Sequence, residues 1–169
     1  KYRIFEKADR EFTFVLFSDH GHMTVKNKVS LLEIFKSLGE NLRDFLYIVD
    51  SNYARFWFRN EKEKERVIKV ISRMKDMGFV LTEEYLRKYH VNMPDNRYGD
   101  VIFYLDTPSI FTHRIKVFGK SLEGVVVSSH GFLPDYPDMD GVFVSNRKLR
   151  DCAYVELVDI VPTILDAFN

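Results

Sequence analysis

The chain contains a single cysteine, Cys152, in 169 residues, so it can form no internal disulfide. A lone cysteine suits a reducing compartment such as the cytoplasm. Charge of one sign is also lacking: Lys plus Arg and Asp plus Glu are both 25, which gives no sign of a nucleic acid or an anionic membrane as partner. No apolar run approaches the roughly 20 residues of a membrane helix. With 46% hydrophobic residues, the sequence predicts a globular protein of one ordinary domain.

An initial methionine is lacking as well: the chain begins with Lys1. It opens near a strand and not on a signal peptide. We therefore expect the start of a longer protein to precede it. The sequence also contains no repeats, low-complexity tracts or obvious linkers.

Strands and helices alternate along the sequence. FTFVLF (12–17) is rich in aromatic and β-branched residues, which is typical of a buried strand. A helix over 28–38 follows, and Gly39 ends it. Its apolar residues have helical spacing: Leu31, Ile34, Phe35 and Leu38. The next two strands, at 45–50 and 53–58, predict a hairpin.

A capping box at Asn60 and Glu63 predicts a helix over 61–77 that ends at Gly78. Further strands follow at 100–106, 124–129 and 141–145, and a helix over 159–168 closes the chain. We predict an α/β fold in which 1–44 and 124–169 form a sheet flanked by helices, and 45–123 is an inserted α+β subdomain. The strands near 12–17 and 124–128 should lie close together.

Asp19 and His20 stand where the first apolar strand stops, and Gly21 follows at once. In a continuing strand their side chains would point to opposite faces, so they converge only if the chain turns there, which glycine permits. Ligands of open α/β sheets bind beyond the carboxyl ends of strands, and carboxylate and imidazole are zinc ligands. A metal site is one interpretation, and an Asx turn beside a surface histidine is the other.

A second strand ends in the same way, because GVVVSS (124–129) is followed by His130 and Gly131. Two strands of one sheet would deliver Asp19, His20 and His130 to the same edge. Three ligands are too few for two metal ions and barely enough for one catalytic zinc, so further ligands must come from elsewhere.

Three motifs occur in order: SDHG (18–21), SHGFLPDYPDM (129–139) and VELVDIVPTILDAF (155–168). Together they resemble the alkaline phosphatase superfamily, and within it the type I phosphodiesterase/nucleotide pyrophosphatase family. The resemblance spans almost the whole chain, although 45–123 corresponds to a part that varies in the family. It implies an alkaline-phosphatase-like sheet flanked by helices.

The resemblance also implies a metal-dependent phosphoric diester hydrolase with two divalent ions, zinc above all, that acts on a phosphodiester or a nucleotide-type substrate. Asp19 and His20 match the adjacent pair that binds the metal nearer the nucleophile. His130 matches the histidine that binds the other metal. In the family a threonine or serine nucleophile attacks phosphorus, and a covalent phosphoryl-enzyme forms.

That nucleophile and the remaining metal ligands precede SDHG in the family, and this chain has no match for them. Thr13, Thr24 and Thr107 have no matching context. The chain therefore resembles the C-terminal half of a catalytic domain without its catalytic nucleophile. We expect it to be inactive alone and to associate with the missing half or with a copy of itself.

Other readings stay open. His22 stands where the family often has methionine, and it is an extra ligand, a group that supports the ligands, or an exposed loop histidine. His90 and His113 fit surface or packing positions. A phosphomutase or a sulfatase of the same superfamily is an alternative activity, and a non-catalytic fragment or binding module is an alternative of another class.

Overall fold

The computed structural model describes residues 12–106, 108–112, 116–117, 120–121, 127–149 and 154–166. Both helices and strands are present, which confirms the prediction of an α/β protein. The chain divides into two compact units: a first unit of residues 1–21 and 134–169, and a second unit of residues 22–133. No helix in the described ranges is long and apolar enough to cross a membrane.

The strands of the described ranges are β1 (Val15–Phe17), β2 (Met23–Thr24), β3 (Asn27–Val29), β4 (Leu46–Asp50), β5 (Tyr53–Trp57), β6 (Gly78–Val80), β7 (Val101–Leu105), β8 (Ser109–Phe111), β9 (Lys116–Val117), β10 (Lys120–Ser121), β11 (Ser128–Ser129) and β12 (Phe143–Ser145). The helices are α1 (Leu31–Ser37), α2 (Glu61–Ile71), α3 (Glu83–Lys88) and α4 (Ile160–Asp166). Short 3₁₀ helices lie at Leu42–Asp44, Ser72–Met74, Pro137–Met139 and Leu157–Asp159.

The second unit is built on a four-stranded antiparallel sheet in the order β4-β5-β7-β6. The predicted hairpin is confirmed, because β4 and β5 pair through a turn at Ser51 and Asn52. Every residue of β7 is buried. Shorter pairs complete the unit: parallel β3-β8, and antiparallel β2-β11 and β9-β10. The buried core cluster comprises Leu31, Phe35, Leu42, Phe45, Ala54, Phe56, Val67, Val70, Ile71, Met74, Val101, Phe103, Leu105 and Phe111.

Helix α2 begins as its capping box predicts. The Asn60 side chain accepts a hydrogen bond from the backbone N–H of Glu63 at 3.0 Å. The α-helix ends at Ile71, and a 3₁₀ turn continues to Met74. The predicted end at Gly78 is wrong: this glycine begins β6, and a Cβ there would lie 2.1 Å from the carbonyl oxygen of Tyr104. Close strand packing, and not helix termination, requires the glycine.

Helix α1 is shorter than its sequence pattern predicts. It begins at Leu31, because residues 27–29 form β3 and pair in parallel with β8. Ser30 caps the helix by accepting a hydrogen bond from the N–H of Glu33 at 3.3 Å. Leu38 follows the last helical residue and is exposed, so the buried apolar face of α1 ends at Phe35.

The first unit contains the antiparallel pair β1-β12, with Val15 opposite Ser145 and Phe17 opposite Phe143. Helix α4 includes Pro162 in its first turn, as predicted, where the missing N–H removes no helical hydrogen bond. Residues 122–126, which hold most of the predicted strand at 124–128, and residues 167–169 lie outside the described residues. The described end of that strand, β11, pairs with β2. The boundaries proposed for an inserted subdomain at 45–123 stay a prediction.

Candidate metal-binding site

The chain leaves the extended conformation directly after β1. Ser18 still continues the ladder: its N–H donates to the carbonyl of Val142 at 2.9 Å, and its Oγ accepts from the N–H of Val142 at 2.8 Å. The N–H of Gly21 then donates to the carbonyl of Met139 at 2.9 Å, in the 3₁₀ turn at 137–139. The two residues between these anchors, Asp19 and His20, are therefore held at both ends.

Asp19 and His20 converge, as the strand-end pattern predicts. The distance between Oδ2 of Asp19 and Nε2 of His20 is 3.4 Å. The other ring nitrogen of His20, Nδ1, lies 2.9 Å from the carbonyl oxygen of Gly21. Because a carbonyl only accepts, Nδ1 carries the proton in this hydrogen bond. A neutral His20 then presents the lone pair of Nε2 on the side of the Asp19 carboxylate.

This pair fits two ligands of one zinc ion. Zinc binds nitrogen and carboxylate oxygen at about 2.0–2.2 Å, and the edge of such a tetrahedron is about 3.4 Å. Metal-binding histidines usually donate their other N–H to a carbonyl or a carboxylate, as His20 does to Gly21. The side chains of Asp19 and His20 are 75% and 32% exposed, so an ion can reach both.

The site is incomplete within the described residues. In that part of the chain, no three or more His, Cys, Asp or Glu side chains come together in a way that could hold a metal ion. A cleft of about 90 Å³ in the first unit, lined by Ser18, Asp19 and Gly141 among others, is far smaller than the roughly 300–1,000 Å³ of ligand pockets. Two protein ligands are thus visible where a catalytic zinc has about three.

His130 belongs to the second unit and follows β11 directly. Its backbone is held by the turn of the β4-β5 hairpin: Oγ of Ser51 donates to the carbonyl of His130 at 2.9 Å and lies 2.8 Å from Oγ of Ser129. Gly131 has a φ of 87°, so the chain turns immediately after the histidine. Ser51 itself has a φ of 51°, an uncommon value for a residue with a side chain.

His22 is the neighbour of His130, a contact that the sequence analysis did not predict although it left His22 open as an extra ligand. Their ring centroids lie 5.6 Å apart with an angle of 60° between the planes. The signal was present but weak: His22 precedes β2 and His130 follows β11, and only the pairing of these two-residue strands brings the rings together. His90 is exposed, as expected, and has a φ of 56°. His113, Thr107 and Cys152 lie outside the described residues.

No family model and no curated protein sequence matches the chain. Several solved structures do. Human ectonucleotide pyrophosphatase/phosphodiesterase 5 aligns with 79% of this chain at a TM-score of 0.58 and 16% identity. The murine protein, in an inactive variant in complex with AMP, aligns with 79% at 0.60 and 15% identity. Phosphonoacetate hydrolase from Sinorhizobium meliloti 1021, in complex with phosphonoformate, aligns with 80% at 0.54 and 18% identity.

Both kinds of protein belong to the alkaline phosphatase superfamily. The chain spans about a third of the length of each, 33% of the ectonucleotide pyrophosphatases and 36% of the hydrolase. At these identities the likeness concerns the fold. Over about four fifths of its length, the chain therefore has the fold of part of an alkaline phosphatase superfamily domain.

Proposed function

We propose that this chain is the C-terminal part of a two-metal phosphodiesterase or nucleotide pyrophosphatase. Asp19 and His20 hold one divalent ion, zinc by the chemistry of the pair, and His130 contributes to the other. When bound, the two ions supply the positive charge that stabilises the attacking and leaving oxygens of a phosphoryl transfer. The threonine or serine nucleophile comes from the part of the domain that precedes this chain.

The geometry of Asp19 and His20 carries this proposal. A carboxylate oxygen and a ring nitrogen stand one tetrahedral edge apart, at 3.4 Å, at the end of a strand. The carbonyl of Gly21 fixes the ring orientation through Nδ1. The alternative for the same atoms is an ion pair between Asp19 and a protonated His20, which would hold no metal and is separated from the proposal by metal analysis.

Exposed apolar side chains in the first unit support a missing remainder of the domain. Leu16 is 55% exposed and Phe17 is 46% exposed. Successive residues of a strand point to opposite faces, so one of these side chains lies on each face. Both faces of the β1-β12 pair are therefore open in the described part of this unit. Among the described residues of this unit, the buried large apolar side chains are Met139 and Ile160. The exposed ones are Phe12, Phe14, Leu16, Phe17, Val142, Val144, Tyr154, Leu157, Val158, Val161 and Leu165.

So much exposed apolar surface is unusual for a unit that stands alone, and it favours burial against other polypeptide. We assign that role to the preceding half of the catalytic domain, and association of the chain with a copy of itself is the alternative. A nucleotide or another phosphodiester is the proposed substrate class. The AMP found with the murine relative is consistent with that class.

The test uses the complete protein and measures zinc content by elemental analysis together with hydrolysis of bis(p-nitrophenyl) phosphate. Asp19→Asn and His20→Asn each remove one of two ligands visible here, so zinc content should drop by one ion and the rate should fall at least about 100-fold. His90→Asn is the matched control: asparagine tolerates the positive φ of that position, and the rate should not change.

Wild-type zinc content and activity in the Asp19 and His20 variants would refute the metal assignment. Hydrolysis of p-nitrophenyl sulfate in preference to the phosphodiester would replace the proposed activity by that of a sulfatase. The 169-residue chain by itself should hydrolyse neither compound, and full activity of the chain alone would refute the external nucleophile.

A further inference from the structure

The antiparallel pairing of β2 and β11 places two imidazoles side by side. Met23 is opposite Ser129 and Thr24 is opposite Ser128, and His22 and His130 directly flank these strands at the positions that continue their register. Facing side chains of an antiparallel pair have Cβ atoms about 4.5–5.5 Å apart, which lets them act together. The ring centroids are 5.6 Å apart, and both side chains are exposed.

This separation suits chelation. Two imidazoles on one tetrahedral zinc ion, each with a Zn–N distance of about 2.0–2.1 Å, place their ring centres about 5 Å apart. The observed 5.6 Å is within a small side-chain rotation of that value. In the present arrangement the rings meet edge to face, so one ring has to turn for both nitrogens to address one ion.

The backbone on both sides of the pair is well fixed. Met23, next to His22, is buried at 7% exposure. On the other strand, Ser51 holds the carbonyl of His130 at 2.9 Å. Ser51 keeps this hydrogen bond in a left-handed backbone conformation, with a φ of 51°. Such uncommon conformations persist where the surrounding structure over-determines them, and they concentrate at functional sites.

We propose that His22 and His130 together ligate one transition-metal ion, so that His22 is an additional ligand of the ion that His130 holds. The catalytic role of this ion rests on the proposed function, whereas its binding does not. Imidazole ligands suit zinc, copper and nickel, and carboxylate or carbonyl oxygens suit magnesium and calcium. The pair therefore makes this position selective for the first group of metals.

The experiment titrates the complete protein with zinc in a His20→Asn background, which removes a ligand of the other proposed ion. Competition with a chromophoric chelator gives the zinc affinity of His22→Asn, His130→Asn and the control His90→Asn. We expect both of the first two variants to lose at least about tenfold in affinity, and the control to match its parent. Loading with one equivalent of Cu²⁺ should show two coordinated imidazoles by electron paramagnetic resonance, and one in either variant.

Thermal unfolding of each variant without metal checks that the fold is retained, which we expect because both rings are exposed. If His130→Asn weakens zinc binding and His22→Asn behaves like His90→Asn, the two-imidazole site is overturned and the proposed function stands. If both variants weaken zinc binding but the wild-type protein hydrolyses no phosphodiester, the site stands and the proposed function falls. If neither variant changes zinc binding, the site is overturned together with the metal role of His130.

Discussion

Replacing Gly21 by alanine should destabilise the turn that follows β1. A Cβ on Gly21 would lie 2.1 Å from the carbonyl oxygen of Asp138 and 2.8 Å from that of Asp140. Both neighbours are backbone atoms, so no side-chain rotation relieves the contact. To reach an ordinary contact distance of 3.4 Å, the turn at 137–139 and Gly21 must separate by about 1.3 Å.

That displacement removes two interactions at once. The hydrogen bond from the N–H of Gly21 to the carbonyl of Met139, 2.9 Å long, cannot stretch so far. Overpacking costs about 1–3 kcal/mol and the lost hydrogen bond about 1 kcal/mol, so the free energy of unfolding should fall by about 2–4 kcal/mol. The carbonyl of Gly21 also orients His20 through Nδ1, and losing such a partner lowers metal affinity about 10- to 100-fold.

Urea unfolding measures the first effect and zinc competition titration the second, both on the complete protein. Gly39→Ala is the control, because a Cβ at Gly39 meets no atom within 4 Å. The backbone of Gly39 has a φ of 76°, which strains an alanine there. Its strain should cost about 1 kcal/mol and leave zinc affinity unchanged. If Gly21→Ala unfolds and binds zinc like the wild type, the close approach of the Asp138 carbonyl does not exist, and the account of how Asp19 and His20 converge fails with it.

Two further predictions concern the second unit. Within the described ranges, the fully buried Asn52 amide has no hydrogen-bond partner, so Asn52→Leu should raise the free energy of unfolding by about 1 kcal/mol in urea; a loss of stability would show that the amide is in fact satisfied. Burial, with a smaller contribution from Tyr104, raises the pKa of Tyr53 well above its ordinary value. The folded chain then keeps a proton that the unfolded chain releases above about pH 10, so stability should fall there by at most about 1.4 kcal/mol per pH unit. Tyr53→Phe should flatten that part of the profile, and equal slopes in both proteins would contradict this assignment.

Elements with a local signal were predictable from the sequence. The β4-β5 hairpin follows from two apolar runs separated by Ser51 and Asn52, and the start of α2 follows from the spacing of Asn60 and Glu63. In both cases the residues that interact are within a few positions of each other. Their interactions therefore depend little on the rest of the chain.

Pairings between distant segments carry no such signal. β2 and β11 are two residues long and far apart in the sequence, so no periodicity marks them, and the contact between His22 and His130 was not predictable. β3 was hidden for a related reason: a parallel pair with β8 took residues that the helical pattern had included in α1. Gly78 resembled a helix terminator but is required by the approach of β7.

In the candidate site, too, the local features were predictable and the contacts between distant segments were not. Asp19 and His20 were predictable because one strand end places both residues and Gly21 marks the turn. What makes them converge, the turn at 137–139 packed on Gly21, is distant in sequence and became visible in the structure alone.

The first unit is discontinuous in sequence, and this governs the order in which the chain can fold. β1 and β12 pair across the whole of residues 22–133, whereas β4 and β5 pair across a two-residue turn. Closing the longer loop costs more conformational entropy and is slower, so the β4-β5 hairpin forms early and the β1-β12 ladder forms late. The turn at Asp19 and His20 is anchored to the same ladder through Ser18 and to the turn at 137–139 through Gly21, so it forms late as well. Asp19 and His20 therefore come together only once the two distant segments of the first unit have paired.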